Sequence, residues 1–152
     1  MEDSLKEKVR AFCQDYATSK IVSIKRGIEK LNESLGSETK STAGDKHETG
    51  RAMIQLEREK LGRLLLEAEK TKVIFERIPS RYNPTGTIGL GSLIRTDNAI
   101  YFIAISAGKF VDDGNEVFCI SAATPIGKLL FGKSPGDVIS FNGVNQKVLE
   151  VR

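Results

Sequence analysis

Asp45 and Glu48 are the residues whose types and spacing most directly suggest chemistry. They stand three apart in Gly44-Asp45-Lys46-His47-Glu48. On a helix that spacing puts both carboxylates on one face, close enough to share a divalent cation. Mg2+ takes one or two carboxylates and keeps several waters, so two exposed acids hold it poorly alone. With further acids from a partner they could complete a two-metal site for phosphodiester hydrolysis. The structural alternative is a helix start, with Asp45 as N-cap and Glu48 as its capping-box partner. His47 is the only histidine. No second His or suitable Cys lies near it, which argues against a zinc site and for an exposed residue.

Two long helical patterns position this motif. Leu5, Val9, Phe12 and Tyr16 step by four, three and four; Ala17, Ile21, Ile24, Ile28, Leu31 and Leu35 continue after a one-residue shift. The alternation predicts one apolar seam on a long first helix. The polar stretch Gly36–Gly44 breaks the pattern and reads as a loose tip. A second helix is expected over about 46–76, where Ile54, Leu61, Ala68 and Phe75 recur every seven residues with Leu64 and Leu65 beside them. In an antiparallel hairpin, facing residues have a constant sum of numbers. Ile21 with Ala68, Ile28 with Leu61 and Leu35 with Ile54 all give 89, which puts the hairpin midpoint between Gly44 and Asp45. The expected rod is about 45 Å long at the helical rise, so its natural use is reach. Lys20, Lys25, Arg26, Lys30, Arg51 and Arg58 could line one side of it and guide RNA, but interspersed acids favour a solvated face.

Composition bounds the rest. The chain has 152 residues, 39% hydrophobic and 28% charged, an ordinary globular profile. No apolar run approaches the ~20 residues of a membrane span, and the charged N-terminus lacks the apolar core of a signal peptide. The expected compartment is the cytoplasm. Cys13 and Cys119 lie far apart in sequence and support neither a disulfide framework nor a metal motif, so both thiols are expected to be buried rather than reactive. A net charge of +3 does not by itself argue for nucleic-acid binding. Residues 1–80 carry 30 charged side chains and residues 81–152 only 13, together with nine of the fourteen glycines. The first half thus reads as an exposed helical element and the second as a compact module.

The period changes after the linker 79–87, which holds Pro79 and Pro84. Residues 92–95, 99–106, 116–121, 137–141 and 147–151 read as short strands. Asp97-Asn98, Asp113-Gly114 and Asn142-Gly143 mark turns between them, which favours antiparallel pairing. Thr124-Pro125 opens a short helix, with Thr as N-cap and Pro at its first position, and Gly132 closes it. The expected fold class is α+β: an antiparallel helical hairpin (a coiled coil, residues 1–78), then a small antiparallel β domain with one short helix (residues 88–152).

On these residues the chain resembles the Gre-type bacterial transcript cleavage factors, over nearly its whole length. Ser121-Ala122-Ala123-Thr124-Pro125-Ile126-Gly127-Lys128-Leu129-Leu130-Phe131-Gly132-Lys133, followed by Gly136-Asp137-Val138, is similar to that family's S-P-I-x-x-x-L-x-G-K … G-D-x-V segment. Ile88–Ile94 stands where the family opens its first C-terminal strand. Gly44, Asp45 and Glu48 match its G-D-x-x-E-N tip motif. The resemblance implies an FKBP-like C-terminal domain and a monomer that is no enzyme alone. Its partners would be RNA polymerase and the backtracked RNA in the secondary channel. There Asp45 and Glu48 would share a catalytic Mg2+ with the polymerase, with Lys46, His47 and Arg51 as candidate contacts to RNA or polymerase. The chain departs from the motif at Thr49, where the family has Asn, and at Arg51 and Ala52, where an acid and an aromatic are usual. Two readings therefore stay open: a factor that stimulates transcript cleavage, and a regulator that occupies the channel without cleaving. A prolyl isomerase is disfavoured because the chain has no Trp and few aromatics to line a pocket. A self-contained acyl-transfer enzyme is disfavoured because no nucleophile stands beside a base.

Overall fold

The computed structural model describes the backbone at residues 2–40, 44–80 and 85–152, and side chains at 4–37, 48–80 and 85–152. The elements are α1 (Glu2–Lys40), α2 (Gly44–Glu76), β1 (Leu93–Thr96), β2 (Ile100–Ile103), β3 (Gly108–Asp112), β4 (Asn115–Ile120), α3 (Pro125–Leu130), β5 (Val138–Phe141) and β6 (Val144–Val151). The class is α+β: two long N-terminal helices, then a six-stranded sheet and a short helix. The chain divides into two compact units. One is Ala17–Val73; the other joins Met1–Tyr16 to Ile74–Arg152.

In the helical unit, Ala17, Ile21, Ile24, Ile28, Leu31 and Leu35 of α1 are buried or half-buried, as are Ile54, Leu61, Leu65 and Ala68 of α2. Leu64, placed beside the seam by its spacing, is exposed. A Cβ on Gly27 would stand 3.1 Å from Leu61 Cδ1, so glycine lets the helices approach closely there. Gly27 lies well before the end of α1 and Leu61 well after the start of α2. Contact between them across residues 41–43 requires the helices to run side by side in opposite directions. The loose tip expected from Gly36 onward is corrected: α1 continues through Gly36 to Lys40. One glycine weakens a helix by about 1 kcal/mol, which its neighbours can offset.

The sheet has the order β3-β4-β2-β1-β6-β5. Pairing is antiparallel except between β2 and β4, where Ile100 to Ile103 run parallel to Val117 to Ile120. The all-antiparallel expectation is thus corrected to a mixed sheet. Its cause is β3, a strand the residue pattern does not announce. It begins at Gly108 with φ +86°, and its residues are exposed or half-buried, so it lacks an apolar alternation. The β3–β4 hairpin folds back and inserts β4 beside β2. Asp113-Gly114 and Asn142-Gly143 make the β3–β4 and β5–β6 hairpin turns with positive φ at both residues, the primed geometry that suits the twist of paired strands.

Strand β2 is buried along its whole length. One face carries Tyr101 and Ile103 into a core with Ile94, Ile126, Leu130, Ile139 and Val148, closed by α3. Thr124 caps α3 by accepting from Gly127 N–H at 3.1 Å, and Pro125 opens it. Gly127 is required by close approach, because a Cβ there would collide with the Ser121 carbonyl oxygen. The first turns of α1 pack in the same unit. Leu5, Val9 and Cys13 are buried, Phe12 stacks on Phe110 with ring centroids 5.2 Å apart, and Lys8 pairs with Asp112 at 3.1 Å. Residues 5–16 therefore do not extend the helix–helix seam. Phe75 also joins this unit: it is buried under the Arg10 guanidinium, 5.1 Å from its ring centre. Arg10 donates to the Ile78 carbonyl at 2.7 Å.

Candidate functional site

Helix α2 already includes Gly44, so Asp45 stands inside its first turn rather than in front of it. Asp45 and Glu48 are three apart on a continuous helix, on one side of it. Glu48 and Arg51 are exposed. The side chains of Asp45, Lys46 and His47, and with them the expected capping box, lie outside the described residues, as do residues 41–43 of the expected tip. Acids in a first helical turn also complement the positive end of the helix dipole, so their position has a stabilising use. Mg2+ is suited to carboxylate oxygens, but these two side chains supply at most two positions. Among the described residues no group of three or more His, Cys, Asp or Glu side chains could hold a metal ion. The donors thus fit a shared ion and not a self-contained one.

The basic residues do not converge on a described pocket. Lys20, Lys25, Arg26, Lys30, Arg51 and Arg58 are all exposed along the two helices. No helix is long and apolar enough to cross a membrane among the described residues.

Two further constellations appear only in the fold. The first is a thiol pair. Cys13 and Cys119 are both free and buried. Gly108 lies opposite Cys119 and Phe110 opposite Val117, so these four positions share one face of the β3–β4 pair. Lys8 and Phe12 of α1 contact Asp112 and Phe110 on that face. The next position along the helix brings Cys13 over Cys119, where Gly108 has no side chain. The hydrogen bond to Cys119, and then burial, push the Cys13 thiol well up; Arg10 pulls it back only weakly. The same hydrogen bond lowers Cys119 against the opposing effect of burial. The spacing of Leu5, Val9, Cys13 and Ala17 signals burial of Cys13, and alternation with Val117 does so for Cys119. Neither signal names a partner.

The second is a cleft of about 540 Å³ on the α3 side of the sheet, between β2–β4 and the β5–β6 hairpin. Phe118, Ile120 and Phe141 form apolar walls, and Gln146 lines it from β6. Comparison with protein-family models and with curated proteins finds no match to this chain.

Proposed function

We propose that this protein is a transcription elongation factor that acts through RNA polymerase. It inserts the turn end of its helical pair into the secondary channel and stimulates Mg2+-dependent cleavage of backtracked RNA. The observation that carries this reading is the placement of Asp45 and Glu48: three residues apart in the first turns of α2, directly after the connection between two antiparallel helices. Two acids at such an end have little use alone and considerable use beside a partner's acids. When bound, Mg2+ would supply Lewis acidity toward a phosphodiester. Asp45 and Glu48 would each offer an oxygen ligand and orient a water. Within the α+β class we assign the second domain as FKBP-like, supported by a single short helix packed on one face of the sheet. The parallel β2–β4 pair is a departure from an all-antiparallel version of that fold.

A second reading, a channel-binding regulator that does not cleave, is favoured by Thr49, Gly50, Arg51 and Ala52, which do not continue the cleavage motif. Stalled, backtracked elongation complexes distinguish the two. The expected outcome is RNA shortening on addition of the protein, reduced at least about tenfold by Asp45→Ala or Glu48→Ala, as for loss of metal-ligating groups. Polymerase binding with unchanged RNA length selects the second reading, and no binding overturns both.

A further inference from the structure

Cys13 and Cys119 are the only cysteines of the chain, and the fold sets one against the other. Their side chains share a hydrogen bond, although Cys13 lies on α1 and Cys119 on β4. The neighbours hold them there. Phe12 packs against Phe110 and Lys8 pairs with Asp112, so α1 is pinned to the β3–β4 pair on the residues just before Cys13. Gly108, directly opposite Cys119, has no side chain to keep the sulfurs apart. A disulfide requires the two sulfurs to close from this contact to about 2 Å.

The two thiols are not equivalent. Cys13 is fully buried, whereas Cys119 keeps 3% of its surface. A Cβ on Gly108 would meet no atom within 4 Å, so there is open space beside the cross-strand partner of Cys119. The hydrogen bond from Cys13 lowers the Cys119 thiol, with burial opposing it. The thiolate is the nucleophile in thiol oxidation. Cys119 is thus the sulfur that meets an oxidant first, and Cys13 the one that answers it. Burial slows the entry of the oxidant but does not change which sulfur lies next to which.

We propose that Cys13 and Cys119 are a redox site, in which a hydroperoxide oxidises Cys119, Cys13 resolves it, and the disulfide fastens α1 to β4 until a dithiol reopens it. The Cys119 sulfur attacks one oxygen of hydrogen peroxide. The S–O bond forms, the O–O bond breaks, and the departing hydroxide leaves as water with the Cys119 proton. The Cys13 sulfur then attacks the sulfenic sulfur. The S–S bond forms, the S–O bond breaks, and the second hydroxide leaves as water with the Cys13 proton. The thiols together lose two electrons and the peroxide is reduced to water. Cys13 stands in the last turn of α1 that belongs with the sheet, so the bond clamps the helix where it leaves that unit. The site is separate from the acids of α2 and does not depend on their role.

The test equilibrates the full chain in glutathione buffers of increasing oxidation, folded and in concentrated urea, and counts free thiols by alkylation and mass spectrometry. The folded chain should become half oxidised in a buffer at least about tenfold less oxidising than the unfolded chain needs, because the fold holds the thiols at a high effective concentration. Peptide mapping should join Cys13 to Cys119 within one chain. Hydrogen peroxide should give the same product, about 2 Da lighter than the reduced protein. Cys13→Ser should halt at a Cys119 sulfenic acid that dimedone traps, and Cys119→Ser should trap at least about tenfold less. A folded chain no more easily oxidised than the unfolded one would overturn the proposal. So would a disulfide formed mainly between chains, or peroxide products that are only sulfinic and sulfonic acids. The glutathione comparison uses the parent sequence, so it decides the matter even if a serine variant fails to fold.

Discussion

At the scale of single residues, the thiol pair shows how a neighbour changes what a side chain does. Cys13 and Cys119 share a hydrogen bond in a buried site, and the pair holds its last proton firmly. Above the ordinary thiol value of 9.0, the unfolded chain loses both protons while the folded pair keeps one. The folded state then binds more protons, so stability falls as pH rises, by up to about 1.4 kcal/mol per pH unit. Urea denaturation between about pH 9.5 and 10.5 should show a fall that approaches this slope in the parent protein. It should be largely absent from the Cys13→Ser, Cys119→Ser double variant; equal slopes in the two proteins would contradict it. Asp45 and Glu48 present the contrasting case. Asp45 in the first turn and Glu48 just after it complement the positive end of the helix, so a thermal shift on substitution says nothing about cleavage, and the elongation-complex assay is the informative one.

At the scale of elements, the helical pair depends on a narrow seam. Most of its apolar residues are only half-buried, because two helices alone cannot enclose a core. Between Ile54 and Leu61 the inward positions pass through Glu57 and Arg58, both exposed, which leaves Leu61 as the main anchor of that stretch. Leu61 also fills the space beside Gly27. Leu61→Ala should therefore cost about 1–2 kcal/mol, less than a fully buried leucine. Hydrogen exchange is expected to speed up at residues 17–73 and to stay unchanged in the strands. Uniform acceleration across the chain would instead mean that the two units unfold together.

At the scale of the whole molecule, α1 is a shared element: its residues up to Tyr16 belong with the sheet and the remainder with α2. Val9 is fully buried in the sheet unit, although every strand lies more than eighty residues away in sequence. Val9→Asp should destabilise that unit by at least about 3 kcal/mol, seen as lost dispersion of the β4 amides. Val22→Asp, at an exposed position on the same helix, should stay within about 0.5 kcal/mol. The change of partner leaves no break in the chain: Leu5, Val9, Cys13, Ala17 and Ile21 keep one spacing of four, and Tyr16 is exposed. Periodicity records only which side is apolar, so the pattern reads as one seam until the sheet supplies a second partner. Local patterns were sufficient for the α+β class, the two helices, the α3 cap and the two hairpin turns, because these depend on neighbours within a few residues. They also singled out Asp45 and Glu48 by spacing. The parallel insertion of β4, the meeting of Cys13 with Cys119 and the cleft between β2–β4 and the β5–β6 hairpin arise from contacts between segments far apart in sequence. Such contacts leave no mark on either segment alone, so only the tertiary structure could decide them.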